Sequence, residues 1–487
     1  MIGTMILKEL ESILLSPKFA ATFVVCSALM LLSVATGIRE YRTGLLQHEA
    51  ATELVDQEMR EARSWMALQN RVYREPDPMQ IFAAGVEHDI GRFSSISAWE
   101  PVKLVHSTYS DDPLFALFRQ MDFAFIVSVV LTLFALLFTY DTISGERERG
   151  TLQLVFSNAV RRSHYIWAKL TGAWLGLVLP LAVPTLLSVL LLPMLGVPMT
   201  AELWARIGML MVVSLLLVTF FAALGVFLSA LTRHSRVSFL AALVSWVALT
   251  LILPRASVMM AGQAIRVPSV AETEALQDQY ARDRWDEHMR ARSVVWRERE
   301  ASLAGLPEQE REARREEMEW VWAEEDELSR KEMQRQIDDH ARRLTEETRN
   351  RKRAQQQLAF TLSRFSPVAA YQLAVMNLAG TDIDLKARQE DALQIYRDRF
   401  NEYKERKQKE SGSSGGIRIT VDTDRGVRID TGREMALDLT DAPGFGGPQV
   451  DAAGAMASSM IDAGILGAGS LLMFGLAFGR FLRYDVR

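Results

Sequence analysis

The residues of this 487-residue chain that could do chemistry are not arranged in catalytic motifs. The sequence has no GxxxxGK[ST] phosphate-binding loop and no HExxH zinc motif. Its seven histidines lack the spacing of metal ligands, and its single cysteine, Cys26, lies in an apolar run. We therefore expect a protein that is not an enzyme, with no catalytic residues, no metal site and no cofactor bound by the chain itself.

Charged and apolar residues are segregated along the chain. Hydrophobic residues make up 49% and charged residues 24%, averages typical of a soluble protein, yet six long runs are almost free of charge. A bilayer core needs about 20 apolar helical residues. The runs predict six transmembrane helices, at 18–37 (TM1), 122–140 (TM2), 164–195 (TM3), 204–231 (TM4), 237–254 (TM5) and 461–482 (TM6). We expect the span interiors to contain no Asp, Glu, Lys or Arg, and this absence argues against an ion-coupled transporter or a channel.

Three of the predicted spans have features of their own. TM3 is too long for one straight span and contains Pro180, Pro184 and Pro193, so we expect a kinked helix or a helix followed by a short re-entrant piece. The glycines of TM6 would let another helix approach closely. TM1 is longer than the apolar part of a signal peptide and follows two acidic residues, so we expect it to be retained.

The short loops predict the orientation of the chain. Arginines occur between TM2 and TM3, between TM4 and TM5 and after TM6, whereas the short loop between TM3 and TM4 has no Lys or Arg. The positive-inside rule therefore places both termini in the cytoplasm. The cytoplasmic segments are then an amphipathic helix at 1–17, a loop at 141–163 and a tail at 483–487, and the extracytoplasmic segments are 38–121 and 255–460.

The larger extracytoplasmic segment is predicted to contain a helical hairpin at 271–353. This stretch mixes strong helix formers with charges of both signs, and Gly305-Leu306-Pro307 interrupts it, which predicts a turn at that point. A sparse apolar seam supports the hairpin and consists of Val321, Leu328, Ile337 and Leu344. The alternative is a single solvated helix or a disordered charged linker.

The rest of this segment carries several other patterns. Residues 358–378 are apolar and predict a piece that lies on the outer membrane surface or packs under the hairpin, and 384–409 return to charged helix. SGSSGG at 411–416 predicts a flexible linker, and the alternation around Asp424-Arg425-Gly426 predicts a β-hairpin. The expected fold class is an all-α polytopic membrane protein with six transmembrane helices, a mainly helical extracytoplasmic domain and a small β-hairpin.

The most informative segment is the predicted cytoplasmic loop at 141–163. Its middle predicts one short amphipathic helix that begins near Ser144, with Glu146 and Glu148 in the first turn, where the helix dipole favours anions. An apolar face at helical spacing consists of Leu152, Val155 and Phe156. Such a helix could bind in a groove on a cytoplasmic partner, or it could be a connector stabilised by lipid headgroups; the residues alone favour neither.

This loop resembles the segment between the second and third spans of type-2 ATP-binding-cassette (ABC) permeases. The matching stretches are Glu146-Arg147-Glu148-Arg149-Gly150-Thr151-Leu152-Gln153, Ser157-Asn158-Ala159-Val160-Arg161-Arg162 and Lys169. That family commonly has Glu where this chain has Gln153, and Pro where it has Ala159. The short helix before TM1, the six spans and the cytoplasmic termini also match the layout of the family.

The resemblance implies a permease subunit of an ATP-driven exporter in the inner (cytoplasmic) membrane. Its partners would be an ABC ATPase subunit, which binds the ATP in the cytoplasm, and a second permease copy or a homologue. The resemblance also implies the coupling contacts with the ATPase, which are Gly145, Glu146, Glu148, Gly150, Thr151, Leu152, Val155 and Phe156.

The long outer loops, with SPVAAYQLAVMNLAGTD at 366–382, are similar to those of a subgroup of these permeases. That subgroup includes permeases of gliding motility and of nitrous-oxide-reductase maturation. The alternative function is a membrane-anchored scaffold that recruits an extracytoplasmic partner without transport. The net charge of −5 gives no reason to expect a nucleic-acid partner, and no residue indicates the substrate.

Overall fold

The computed structural model is that of a multi-pass membrane protein built almost entirely from helices. It describes the chain except residues 1, 63, 64, 66, 67, 69, 97–101, 112–120, 159, 411–416, 423–425, 432–436, 438, 449, 450 and 484–487. Among the described residues, six helices are long and apolar enough to cross a membrane: Pro17–Glu61 (TM1), Phe123–Glu148 (TM2), Arg162–Met194 (TM3), Ala201–Leu231 (TM4), Ser235–Ala264 (TM5) and Ala452–Leu482 (TM6). The predicted fold class is confirmed. The predicted linker and most of the predicted C-terminal tail lie outside the described residues.

TM2 and TM5 end later and TM6 begins earlier than predicted, and TM1 and TM3 differ further from their predictions. TM1 begins after Ser16, whose Oγ accepts a hydrogen bond from the Phe19 amide at 3.1 Å. Its helix continues to Glu61, far beyond the predicted end at residue 37, because the polar residues that follow are good helix formers with no proline among them. TM3 is a single helix that contains all three of its prolines, so the alternative of a re-entrant piece is wrong.

TM2 and TM5 each contain a stretch of π-helix, at Ile126–Leu131 and Ala248–Ile252. Such stretches disturb the regular backbone hydrogen bonding of a helix, and hydrophobic periodicity does not reveal them. In TM5 the Leu249 carbonyl accepts a hydrogen bond from Ser366 Oγ at 2.5 Å. Just before this stretch, Trp246 Nε1 donates to Thr132 Oγ1 of TM2 at 3.0 Å, so polar side chains fix both irregular helices.

TM4 lies at the centre of the main core, against TM2, TM6 and a short helix, Pro367–Ala379. TM2 approaches it so closely that a Cβ added at Gly225 would lie 1.8 Å from Thr139 Oγ1. In TM6 a Cβ added at Gly469 would lie 3.2 Å from the Phe220 ring. Four other glycines of the predicted span would meet nothing within 4 Å, so the close approach predicted for it is limited within this chain to Gly469; they are Gly464, Gly467, Gly475 and Gly479.

The Pro367–Ala379 helix is buried in the main core, so the prediction that this segment lies on the outer membrane surface is wrong. Tyr371 is fully buried, and its Oη lies 3.1 Å from Ser214 Oγ of TM4. Ser459 Oγ of TM6 donates to the Ala374 carbonyl at 3.0 Å. Small side chains let this helix fit between TM4 and TM6, and the polar groups buried there form hydrogen bonds with one another.

A second core lies around the helix Leu385–Glu410 and a two-stranded antiparallel sheet, β1 (Asn70–Tyr73) and β2 (Phe93–Ile96). The Asn70 amide donates to Tyr396 Oη at 2.5 Å, and Tyr396 donates to the Pro443 carbonyl at 3.0 Å. Burial raises the pKa of Tyr396 to about 12, which keeps its hydroxyl protonated as a donor. Each strand has only four residues, too few for alternation in the sequence to reveal it.

Three short elements complete this part of the chain. A turn of 3₁₀-helix, Pro78–Ile81, follows β1, and a short helix, Thr108–Asp111, follows β2. The predicted β-hairpin is confirmed as β3 (Ile417–Asp422), which pairs antiparallel with β4 (Gly426–Thr431). Its turn lies outside the described residues.

Residues 253–363 form a separate compact unit. Its helices Val270–Leu303 and Glu308–Ser363 fold back on each other, and the bend falls at Gly305-Leu306-Pro307. Gln277 Nε2 near the start of the first helix donates to Thr345 Oγ1 of the second at 3.2 Å, so the two helices run antiparallel.

The predicted apolar seam of this hairpin is wrong in its first half, because Val321 and Leu328 are exposed. Charged side chains lie between the helices instead: Arg299 contacts Glu325 at 2.7 Å and Asp326 at 3.2 Å. Heptad spacing alone could not show this, since the facing positions of a long polar helix pair can be filled by ion pairs as well as by leucines.

Candidate functional site

The segment predicted as a cytoplasmic loop, 141–163, contains two short helices where the sequence predicts one: Ser144–Glu148, which is the last part of TM2, and Thr151–Ser157. Gly150 separates them in the left-handed conformation, with φ +71°. A residue without a Cβ adopts this conformation at low cost, and it ends a helix. Thr151 Oγ1 donates to the Glu146 carbonyl at 3.1 Å, which fixes the second helix against the first.

Glu146 is buried at the centre of a polar contact set, which we call the ionic cluster: Glu9, Glu146, Tyr165 and Lys169. Lys169 Nζ lies 2.6 Å from one Glu146 oxygen, and Tyr165 Oη donates to the other at 2.5 Å. Lys169 Nζ also contacts Glu9 of the N-terminal helix, Ile2–Leu14. Glu146, one of the predicted ATPase contacts, is therefore turned into the chain.

The ionic cluster joins three elements that are far apart in sequence. Glu9 belongs to the N-terminal helix, Glu146 to the loop and Lys169 to TM3, and all three side chains are at least mostly buried. A charge removed from water is stable only if it is paired and hydrogen-bonded. Each of the three elements therefore stabilises the position of the other two.

The apolar side chains of the loop also point into the chain. Leu152 is buried beside Ile166 of TM3 and Phe481 of TM6. The Phe156 ring lies 5.3 Å from the Tyr165 ring and 6.1 Å from the Phe481 ring. Val155 packs half-buried on the same cluster. This face of the loop thus packs on TM3 and TM6, and Leu152 is too buried to dock into a partner's groove; ATPase contact by Val155 and Phe156 stays a prediction.

Hydrogen bonds hold the start of the loop against TM4 and TM5. The Ile143 and Ser144 amides both donate to Ser229 Oγ of TM4 at 3.0 Å. Glu148 Oε1 accepts from the Ser235 amide at the start of TM5 at 3.0 Å and lies 3.4 Å from His234 Nδ1. The loop is consequently bonded to TM3, TM4 and TM5, packed on TM6, and linked to the N-terminal helix through Lys169.

The opposite side of the loop is exposed. It presents Glu148, Arg149, Gly150, Thr151, Gln153, Leu154, Ser157 and Asn158, which we call the exposed loop face. Leu154 is 68% exposed and is the large apolar side chain of the exposed loop face. The sequence analysis missed Leu154, although its helical position opposite Leu152 and Val155 is a signal that could have found it.

The predicted coupling residues fall into two groups. Glu148, Gly150 and Thr151 lie on the exposed loop face. The others point inward and are Gly145, Glu146, Leu152, Val155 and Phe156. Within the described part of the chain, no three His, Cys, Asp or Glu side chains come together as a possible metal site.

A sequence model described as "ABC-2 family transporter protein" matches residues 4–486, nearly the whole chain. The chain belongs to the ABC-2 transporter family. Membership makes it a membrane permease component and implies an ABC ATPase as its partner. No curated protein matches the chain. The similarity to the gliding-motility and nitrous-oxide-reductase subgroup of ABC-2 permeases stays a prediction.

Three of the predicted spans of this ABC-2 permease contain a buried charged residue, which corrects the prediction about charge in the spans. Lys169 of TM3, Arg206 of TM4 and Asp462 of TM6 are all buried. Arg206 donates to the Leu378 carbonyl at 2.7 Å and lies 3.1 Å from Asp77. Lys169 and Arg206 lie near the start of their helices, Asp462 lies further along TM6, and each has a partner, so these groups do not form a chain of ionisable groups through the bundle.

Proposed function

We propose that this ABC-2 permease is the membrane subunit of an ATP-driven exporter and that its ATPase partner binds the exposed loop face. One observation carries the proposal: the loop is tied on its inner side to the N-terminal helix and to four spans, while its outer side offers an exposed apolar anchor, Leu154. A protein that moves the loop would move those elements with it. The exporter direction rests on the resemblance to type-2 ABC permeases.

Force applied to the loop has short routes into the bundle. The Lys169–Glu146 contact at 2.6 Å leads to TM3 and, through Glu9, to the N-terminal helix. The hydrogen bonds to Ser229 lead to TM4. Close-packed interiors transmit displacement because they cannot deform continuously, so ATP-driven movement of the partner would shift whole helices.

The end of the bundle that carries the loop is proposed to face the cytoplasm. The N-terminal helix contacts the loop through the ionic cluster, and Arg162 Nη1 donates to the Leu482 carbonyl at the end of TM6 at 2.7 Å. The loop, the N-terminal helix, the end of TM6 and the start of TM5 therefore share one end, where the arginines of the short loops also lie. The positive-inside rule assigns that end to the cytoplasm of an inner-membrane protein, the side on which ATP is available.

The functional unit is proposed to contain two permease chains, with a second copy or a homologue as the other half, and one ATPase on each loop. This stoichiometry follows from the resemblance to type-2 ABC permeases. ATP binding would draw the two ATPases together and so move the two loops as a pair. The substrate path would then lie between the two permease chains.

Leu154→Asp is expected to weaken capture of the ATPase at least about tenfold while leaving the amount of permease in the membrane unchanged. Truncating an apolar interface anchor costs about 1–2 kcal/mol or more, and a buried unpaired charge adds to that cost. The measurement is quantitative pull-down of the P-loop ATPase that co-purifies with the tagged permease from its own host.

The matched control is Leu328→Asp, since Leu328 is a similarly exposed leucine, 61% against 68%, on the hairpin of residues 253–363. It should leave ATPase capture at the wild-type level. Equal capture by wild type and Leu154→Asp would show that the exposed loop face does not bind the ATPase.

A further inference from the structure

A cavity of about 860 Å³ lies outside the loop region, beside the part of the TM1 helix that extends beyond the apolar run. One face of that helix forms its first wall, with Gly37, Gly44 and His48 at helical spacing. Residues in and around β1 and β2 form the second wall, including Tyr73, Phe93 and Pro76. Its volume is in the range of small-molecule sites.

Arg74 is the most informative residue of this cavity. Its side chain is only 7% exposed, and its two terminal nitrogens bond to Glu87, to the carboxylate at 2.5 Å and to the carbonyl at 3.2 Å. Its Nε is buried and has no hydrogen-bond partner. A buried guanidinium N–H without a partner costs free energy, so it indicates a group that the protein normally binds.

Other donors line the same cavity. Arg92 Nη1 donates to Gln47 at 3.2 Å and Arg92 Nη2 to Thr108 at 2.7 Å, which holds this guanidinium at the cavity wall. Arg39 lines the wall from an exposed position on TM1. His48 Nδ1 is buried and, like Arg74 Nε, has no partner.

The charges that face the cavity favour an anion. Three arginines line it, and the facing carboxylates are Glu40 and Glu87. Burial lowers the pKa of His88, so this histidine adds a neutral ring to the lining. The set of donors, which includes guanidinium groups, the Thr108 hydroxyl and two glutamine amides, is larger than the two oxygens of a carboxylate can use. A phosphate group, with more acceptor oxygens, fits it better.

We propose that this cavity binds a phosphate ester, which is either the headgroup of an anionic lipid or a soluble phosphate ester. The wall begins at Thr36 and Gly37, where the apolar run of TM1 ends, and it includes the aromatic rings of Tyr73 and Phe93. A headgroup could therefore reach the arginines while its glycerol backbone lies against these rings. The site is separate from the exposed loop face and goes beyond the proposed permease function.

The test uses the purified full-length chain in detergent and two probes, glycerol 3-phosphate and dihexanoyl phosphatidylglycerol, with binding measured by calorimetry. Arg39→Ala and Arg74→Lys should each weaken binding about tenfold, the effect of one charge-assisted contact. Arg74→Lys keeps a charge beside Glu87 but removes the Nε–H. Arg42→Ala is the matched control, because Arg42 is exposed on the same helix and does not line the cavity.

Binding of the short-chain lipid alone identifies a lipid headgroup as the source, and binding of both probes identifies a soluble ester. Either result supports the site when Arg39→Ala weakens probe binding and the dissociation constant of Arg42→Ala stays within about twofold of the wild-type value. If the Arg74→Lys variant does not fold, the Arg39→Ala variant still tests the proposal, because Arg39 is exposed. Two outcomes overturn the proposal: neither probe binds, or Arg39→Ala binds as tightly as Arg42→Ala.

Discussion

Replacing Lys169 with methionine is expected to destabilise the purified chain by about 3–5 kcal/mol, the usual cost of removing one member of a buried ion pair. Methionine has a similar length but no charge. Glu9 and Glu146, whose side chains are 15% and 12% exposed, would then face each other without the ammonium that now lies between them. The measurement is the midpoint of thermal unfolding in detergent, together with the yield of monodisperse protein.

Two further variants separate charge from packing. The neutral combination of Glu9→Gln, Glu146→Gln and Lys169→Met should recover most of the lost stability, because replacing a whole buried ion pair is often close to neutral. Lys18→Met, at an exposed lysine near the start of TM1, should have little effect. If Lys169→Met unfolds at the same temperature as Lys18→Met, the ionic cluster does not stabilise the fold.

The second large effect is expected at the ion pair between Arg364 and Asp462. Asp462 is fully buried in TM6, and its oxygens accept hydrogen bonds from Arg364 at 2.6 Å and 3.2 Å. Arg364→Met would leave the buried carboxylate alone and should cost about 3–5 kcal/mol. Asp462→Asn should cost less, since the Arg364 side chain is 29% exposed and its charge can be hydrated.

The control for this prediction is Arg388→Met. Arg388 forms an ion pair with Asp382 at 2.9 Å, but both side chains are partly exposed, at 37% and 21%, so its loss should cost about 1 kcal/mol or less. Unfolding midpoints of the three variants should therefore fall in the order Arg388→Met, Asp462→Asn, Arg364→Met, from highest to lowest. The reverse order would contradict the assignment of Asp462 as the buried member of the pair.

Long-range hydrophobicity predicted the membrane architecture of this chain well. A run of about 20 apolar residues has few stable structures other than a membrane-spanning helix, so all six spans follow from composition. The ends of the spans do not follow from composition. TM1 continues to Glu61 because helix formation persists wherever the local residues permit it, and hydropathy records only where the apolar part stops.

Burial of the Pro367–Ala379 helix could not be predicted in the same way. The segment has thirteen residues, too few to span a bilayer, and its apolar character fits a membrane surface as well as a protein core. What places it in the core is its partners, Ser214 of TM4 and Ser459 of TM6. Such pairings between distant positions leave no local pattern in one sequence.

The roles of the residues in the candidate site were even harder to predict from the sequence. The resemblance to type-2 ABC permeases directed attention to the loop, but the roles of its residues depend on contacts across the fold. Glu146 is buried because Lys169 and Glu9 meet it, and those residues lie on two other helices. Amphipathic spacing correctly grouped Leu152, Val155 and Phe156 on one face, yet that face packs on TM3 and TM6, and the exposed leucine is Leu154.

The most direct test of ATPase coupling is site-specific cross-linking from the exposed loop face. The natural Cys26 is buried, so Leu154→Cys offers one reactive thiol for a maleimide photo-cross-linker in membranes of the native host. We predict a cross-linked product at position 154 in which mass spectrometry identifies an ABC ATPase with a P-loop, and none from Leu328→Cys on the hairpin. Absence of an ATPase from the position-154 product, or an equal amount of it at position 328, would contradict coupling through this loop.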